Sequence, residues 1–548
     1  MNASHLGRTA QLATLYARAC NAVPPRPRSR RLYCALASLA LLAGVPVVAQ
    51  TNGPKLAAVR SAPDRAVSSV GQVAAPPAHY AAIRDYIRHQ LVATGAPSMA
   101  IAVFRNGHID WQEGFGWADR ERKLKATPDI VYSLASVSKT FTATGVMELA
   151  AMQVIDVDKP INDYLRDDKL TVDVGDPHDV TVRRVANHTS GLPFHVQFFY
   201  RNEPYRKPPA DVTIARYGNI VREPGAHFFY SNLGFGILSE LIAEQSHQPY
   251  ADYMREKVFA PLDLTRTSVD IPEALRPFTA AGYNLDGSRL AEFDTDHPGA
   301  SEVYSSAHDL IRFAAFHLKT HLPDQRPILD DATIDTMHVS SALVDDSHGY
   351  AFGFETSTRA GYRVVSHSGN MPGVAAEMLM VPDQGVAIVV LCNSSRSDLV
   401  DDVTDRIAAT LLPGWKADSG GIGFPQADKA FIPTAELVGK WSGHISRPEG
   451  DLPIAIDMQP DGSVTAAVGD QPPALINGAL FKDGDFIGQL AASVNTKDTQ
   501  RYTYILYVIL HLKDKRLYGT VTALDDVRPS NNHFVAGLSY WTDLTLIQ

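Results

Sequence analysis

The sequence predicts an α+β body, an antiparallel sheet flanked by helices, followed by a small all-β barrel. Three observations carry this. Residues 98–105 and 108–117 alternate apolar and polar around Asn106-Gly107, the strongest short hairpin signal. Strand patterns recur far downstream at 351–356, 362–368, 375–382 and 385–393, after a long run of mostly helical periodicity, so the first hairpin and the late strands share one sheet with the helices packed on it. Beyond residue 434 the pattern is strands only.

The elements follow in order. The chain has 548 residues, too many for one ordinary domain, and a formal net charge of -10. Residues 1–49 hold six arginines and no lysine or acid, so the remainder carries -16. An acidic body argues against nucleic acid as the partner. Arg26-Pro27-Arg28-Ser29-Arg30-Arg31 precedes an apolar run at 32–48 that ends in Val47-Val48-Ala49. These are the marks of a signal peptide (1–49) cleaved near Ala49, which places the protein in the periplasm or outside the cell. An uncleaved anchor is the other reading, and only that one puts the chain on a membrane. After cleavage Cys392 is the sole cysteine; it sits in an apolar strand pattern and reads as a core thiol.

Residues 50–76 read as a tether and 77–412 as the first folded domain. Helical spacing covers 80–91, a short helix follows Pro160, and another ends at Asn187-His188-Thr189-Ser190-Gly191-Leu192-Pro193. Residues 195–223 look irregular and mostly polar. Helices are then expected at 233–244, at 304–318 with Ser305 and Ser306 as caps, and at 399–412. Residues 413–434 read as a linker. Strands at 437–445, 452–458, 463–468, 486–490, 502–512, 516–524 and 537–546 form the barrel domain, 435–548.

One stretch bears chemistry. Ser136 and Lys139 stand three residues apart at a helix start, on one face a single turn apart, where a lysine kept neutral by burial can take the proton of a serine nucleophile. Alone the pair proves little, since about one or two Ser-x-x-Lys strings arise by chance in a chain this long. Tyr230-Ser231-Asn232 at a helix start and His367-Ser368-Gly369-Asn370 at a strand end follow in order.

With those pieces, and with Ser133-Leu134-Ala135 before the serine, His188 to Pro193, Pro224-Gly225 and Tyr304 to Leu310, the region 80–412 resembles the serine hydrolases related to class C β-lactamases, a group of D-peptidases, D-aminopeptidases and esterases. The resemblance implies the serine β-lactamase/DD-peptidase fold. It implies Ser136 as nucleophile, Lys139 as its base, Tyr230 as proton donor to the leaving group and Asn232 as a substrate and lysine ligand. It also implies the backbone amides of Ser136 and Asn370 as oxyanion donors beside Gly369. The substrate implied is a small acyl compound, a D-residue peptide, amide or ester, and the barrel resembles a lipocalin-like appendage. No metal or other cofactor is required, and the histidines show no zinc-ligand spacing.

A lysine close beside Tyr230 suggests that the two share one proton. The departure is His367, where β-lactamases carry a lysine; an imidazole is a weaker fixed cation for a substrate carboxylate. The alternative reading is a β-lactamase or penicillin-binding sensor acylated without efficient turnover. His188 is expected to be a helix-end hydrogen-bonding residue, Asp309 a first-turn helix acid, and Lys159 and Asp163 surface charges. Nothing in the sequence fixes the oligomeric state.

Overall fold

A computed structural model describes residues 77–166, 169–417, 430–526 and 534–547. The leader, the tether and most of the linker fall outside these residues. Among the described residues no helix is long and apolar enough to cross a membrane.

Helix α1 (Ala81–Thr94) leads into strands β1 (Ser98–Arg105) and β2 (His108–Asp119). Arg105 pairs with His108, and Asn106 and Gly107 both take positive φ, 53° and 80°, as a two-residue turn matching the strand twist requires. Helix α2 (Ser138–Ala151) follows the turn that holds Ser136. Strand β3 (His195–Tyr200), helix α3 (Ala210–Tyr217), helix α4 (Asn232–Ser246) and helix α5 (Ala307–His317) precede four consecutive strands. These are β4 (Glu355–Arg359), β5 (Tyr362–Met371), β6 (Val374–Val381) and β7 (Val386–Cys392), and helix α6 (Ser397–Leu411) follows them. The sheet runs β4-β5-β6-β7-β1-β2 with short strands at both edges, antiparallel throughout. Because side chains alternate along a strand, Met99, Ile101 and Val103 of β1 pack on α1 and α6, while Ala100, Ala102 and Phe104 join the core built with α2, α4 and α5. Cys392 is buried in the first of these layers.

The barrel comprises β8 (Gly439–Ile445), β9 (Leu452–Met458), β10 (Val464–Val468), β11 (Asn477–Lys482), β12 (Asp485–Leu490), β13 (Tyr504–Lys513), β14 (Arg516–Asp525) and β15 (Ala536–Leu546). It is nearly closed: the sheet order β10-β9-β8-β15-β14-β13-β12-β11, with the two-residue strand Ala474–Leu475 on the outer edge of β10, ends on strands adjacent in sequence. Ile454, Ile456 and Met458 alternate with more exposed neighbours along β9, and with Trp441, Phe486, Leu510 and Leu517 they are buried in its core.

The structure corrects four expectations. The supposed irregular stretch 195–223 contains β3, all six residues buried, and α3, and β3 pairs with the N-terminal end of β15 at Leu538, Gly537 and Ala536. Residues 351–354 are not strand: Gly353 at φ 80° turns the chain before β4. The segment 303–306 is a strand paired with 131–133, and Ser306 alone caps α5, its Oγ accepting from the Asp309 amide at 3.0 Å. Strand β11 has no counterpart in the sequence reading.

Candidate active site

Ser136 sits in a tight turn just before α2. Ala135 is held at φ 47°, an uncommon conformation for a residue with a side chain, and Ser136 remains partly accessible while its neighbours are buried. The turn is pinned by the Leu134 amide, which donates to the Val303 carbonyl at 3.0 Å. Strand β5 passes beside it. Pairing with β4 ends at Glu355 opposite Ser366, so the edge of 367–371 lies free of that strand. A Cβ on Gly369 would strike the Leu134 carbonyl and stand 3.1 Å from Ala135 Cβ and 3.2 Å from the Ser136 nitrogen. Only glycine lets the strand approach this closely.

Lys139 is fully buried, and its Nζ has three partners: Ser136 Oγ at 3.1 Å, Asn232 Oδ1 at 2.9 Å and the Ala300 carbonyl at 3.1 Å. Burial pushes its pKa well below the usual lysine value, with the charge of Glu355 opposing in part. A neutral amine has two hydrogens and one lone pair. In that form the two carbonyl-type oxygens, which can only accept, take the hydrogens, and the lone pair faces the one partner that carries a proton, the Ser136 hydroxyl. The Asn232 amide is oriented for this by its other end, whose Nδ2 donates to the His195 carbonyl at 3.1 Å.

Burial raises the Tyr230 pKa above that of a free phenol, with the nearby Ser136 hydroxyl opposing in part. Lys139 Nζ lies 4.8 Å from the Tyr230 ring centre. Burial shifts both groups toward their neutral forms, the amine by lowering its pKa and the phenol by raising it. Tyr230 is framed by His188, whose carbonyl accepts from the Phe229 amide at 2.8 Å and whose Nδ1 accepts from the Ser231 amide at 3.1 Å. Burial depresses the His188 pKa and keeps it a neutral acceptor. It is thus a hydrogen-bonding residue, as read from the sequence.

His367 is buried, and its Nε2 lies 2.8 Å from the Tyr350 hydroxyl and Nδ1 2.7 Å from the Ser368 carbonyl. The carbonyl can only accept, so Nδ1 donates and Nε2 accepts from Tyr350. Burial and the nearby Lys139 lower its pKa to about 3, so no cation stands at this strand end near neutral pH. Asn370 is exposed, its Nδ2 3.5 Å from Ser397 Oγ. Asp309 is a buried carboxyl that accepts from the Arg266 amide and Thr267, and Lys159 and Asp163 are exposed.

Several residues near the site were not legible as motifs. Glu355 lies 3.8 Å from His367 Nδ1, and burial raises its pKa to about 7 against the charge of Arg359. His195, Asp296 and His297, all buried, bring ligand-type atoms within 4.8 Å of one another. Asp296 lies 2.9 Å from His195 Nε2 and 2.8 Å from His297 Nδ1. Burial favours its neutral form, but these two imidazoles outweigh burial and hold it ionised. Hydrogen bonding therefore accounts for the convergence of the three side chains.

The Beta-lactamase family model matches residues 83–412. The chain belongs to the beta-lactamase family. Among relatives within or near this family, "Protein flp" of Staphylococcus aureus (strain NCTC 8325 / PS 47) is 27% identical over 336 residues, covering 60% of this chain and 66% of that protein. "Unguisins hydrolase ungD'" of Aspergillus campestris (strain IBT 28561) is 28% identical over 337 residues, covering 57% of this chain. The chain thus spans 66% and 61% of the lengths of these relatives. The crystal structure of SurE with D-Leu superposes with a TM-score of 0.55 at 18% identity, covering 86% of this chain and 100% of that one. It shares the fold of the beta-lactamase-family body, over a coverage that reaches past residue 412.

Proposed function

We propose that this protein is an exported serine hydrolase that forms an acyl-enzyme at Ser136 and cleaves amide or ester bonds of small substrates, D-residue peptides and esters foremost. The observation that carries it is the fully buried Lys139, its pKa pushed well below the usual lysine value, with Nζ 3.1 Å from Ser136 Oγ. As Oγ attacks the substrate carbonyl, its proton passes to Lys139. The oxyanion lies between the backbone amides of Ser136 and Asn370, where Gly369 permits close approach. The neutral Tyr230 phenol donates to the leaving group and recovers a proton from Lys139. Water then hydrolyses the ester by the reverse transfers.

The substrate class draws on two supports. A relative is named for hydrolysis of unguisins, and a structural neighbour was solved with D-Leu. The neutral, Tyr350-bound His367 offers no fixed cation for a β-lactam carboxylate. Export rests on the leader's basic and apolar pattern. The test is a fluorescent fluorophosphonate together with a panel of chromogenic esters, D-amino-acid amides and a cephalosporin. Labelling and turnover that vanish in Ser136→Ala support the hydrolase. Stable acylation by the cephalosporin with no turnover of any substrate would favour the sensor.

A further inference from the structure

The stretch 195–229 joins the body to the barrel, and both of its ends reach the site. At one end, β3 pairs with β15; at the other, Phe229 packs on Ile487, Tyr507 and Ile509 of the barrel, and Arg222 bonds Asp485 at 2.8 Å. One barrel side chain reaches further in. Arg501, buried between β12 and β13, donates to the Phe198 carbonyl at 2.7 Å and stacks on Phe199. With the Gln197 amide turned so that donors meet acceptors, its oxygen accepts from Arg501 at 3.0 Å and its nitrogen donates to Asp296 at 3.0 Å.

We propose that Arg501 is a positioning residue for the Ser136 site, acting through a buried hydrogen-bonded chain that runs Arg501, Gln197, Asp296, His195, Asn232, Lys139. Each link constrains the next. Arg501 can only donate, so it fixes which end of the Gln197 amide points inward. Gln197, His195 and His297 supply the donors that a buried carboxylate needs. Asp296 locks the His195 ring, and the His195 carbonyl is the acceptor that sets the Asn232 amide. That amide decides where the lone pair of Lys139 points: if it turned, it would present N–H groups to Nζ, and the lone pair would swing toward Asn232 and away from Ser136. The chain lies in a low-dielectric interior, where a reversed dipole costs more than in water. The barrel therefore sets the proton acceptor of the site from outside the body.

This rests on Ser136 being the nucleophile. The experiment compares Arg501→Gln, Arg501→Lys, Gln197→Met and the Arg501→Gln/Gln197→Met double variant of the full chain, with ester turnover and thermal unfolding as readouts. The expected result is folded single variants with kcat lowered about tenfold or more and KM within about twofold, as for a misaligned rather than a missing group. Arg501→Lys recovers part of the loss, and the double variant is no worse than the worse single, because both cut one chain. Folded variants that keep kcat within about twofold, or losses that multiply in the double, overturn the proposal. If Arg501→Gln does not fold, Gln197→Met decides alone by the same kcat criterion. Ser136→Ala run alongside separates the two levels: turnover surviving there removes the site assignment itself, whereas turnover lost there but full in Arg501→Gln removes only the chain.

Discussion

Lys139→Met removes the amine and keeps most of the side-chain volume. The loss of a positioned base costs about 10²- to 10⁴-fold in rate, or about 3 to 5.5 kcal/mol at about 1.4 kcal/mol per decade. The effect on folding is smaller. Asn232 Oδ1 and the Ala300 carbonyl each lose a donor, at about 1–3 kcal/mol apiece, but the variant no longer has to strip an amine of water, and the two terms oppose. The expected result is a thermal midpoint lower by only a few degrees beside a fall in kcat/KM of at least two decades. Ester hydrolysis and the rate of fluorophosphonate labelling, measured with differential scanning fluorimetry on the same preparation, read both quantities. A folded Lys139→Met protein that keeps kcat/KM within about tenfold would refute the lone-pair argument.

Tyr230→Phe leaves the packing of the ring against His188 in place and removes only the donor, so kcat should fall by about two decades with little change in melting temperature. Glu355→Gln removes a negative charge that favours the ammonium form of Lys139. The lysine pKa then drops further, and the acid limb of the pH profile of kcat/KM should move to lower pH; a move to higher pH would contradict the assigned base. Gly369→Ala drives a methyl into the Leu134 carbonyl, and should cost about 1–3 kcal/mol of stability and abolish turnover by displacing β5 from the nucleophile turn, as circular dichroism melts and the ester assay would show.

Much of the fold was legible because its signals are local. The Asn106-Gly107 turn, the uninterrupted apolar run of β7 and the alternation of β9 specify their own conformations. Ser136 and Lys139 were legible as a pair because one helical turn brings them together. The misread stretch 195–223 shows the opposite case. His195 and Gln197 look like polar loop residues until Asp296 and Arg501, distant in sequence, supply their partners. The strand that contains them is paired to residues near the end of the chain. His367 was found by position, but its neutrality depends on burial and on Tyr350, which no local pattern reveals.

The central claim is covalent attack by Ser136, and the most direct measurement is mass spectrometry of the protein quenched during ester turnover, followed by peptide mapping. A single acyl adduct on the peptide containing Ser136, absent from Ser136→Ala and accumulating with the kinetics of turnover, is the predicted result. An adduct on another residue, or steady hydrolysis by the Ser136→Ala protein, would contradict it.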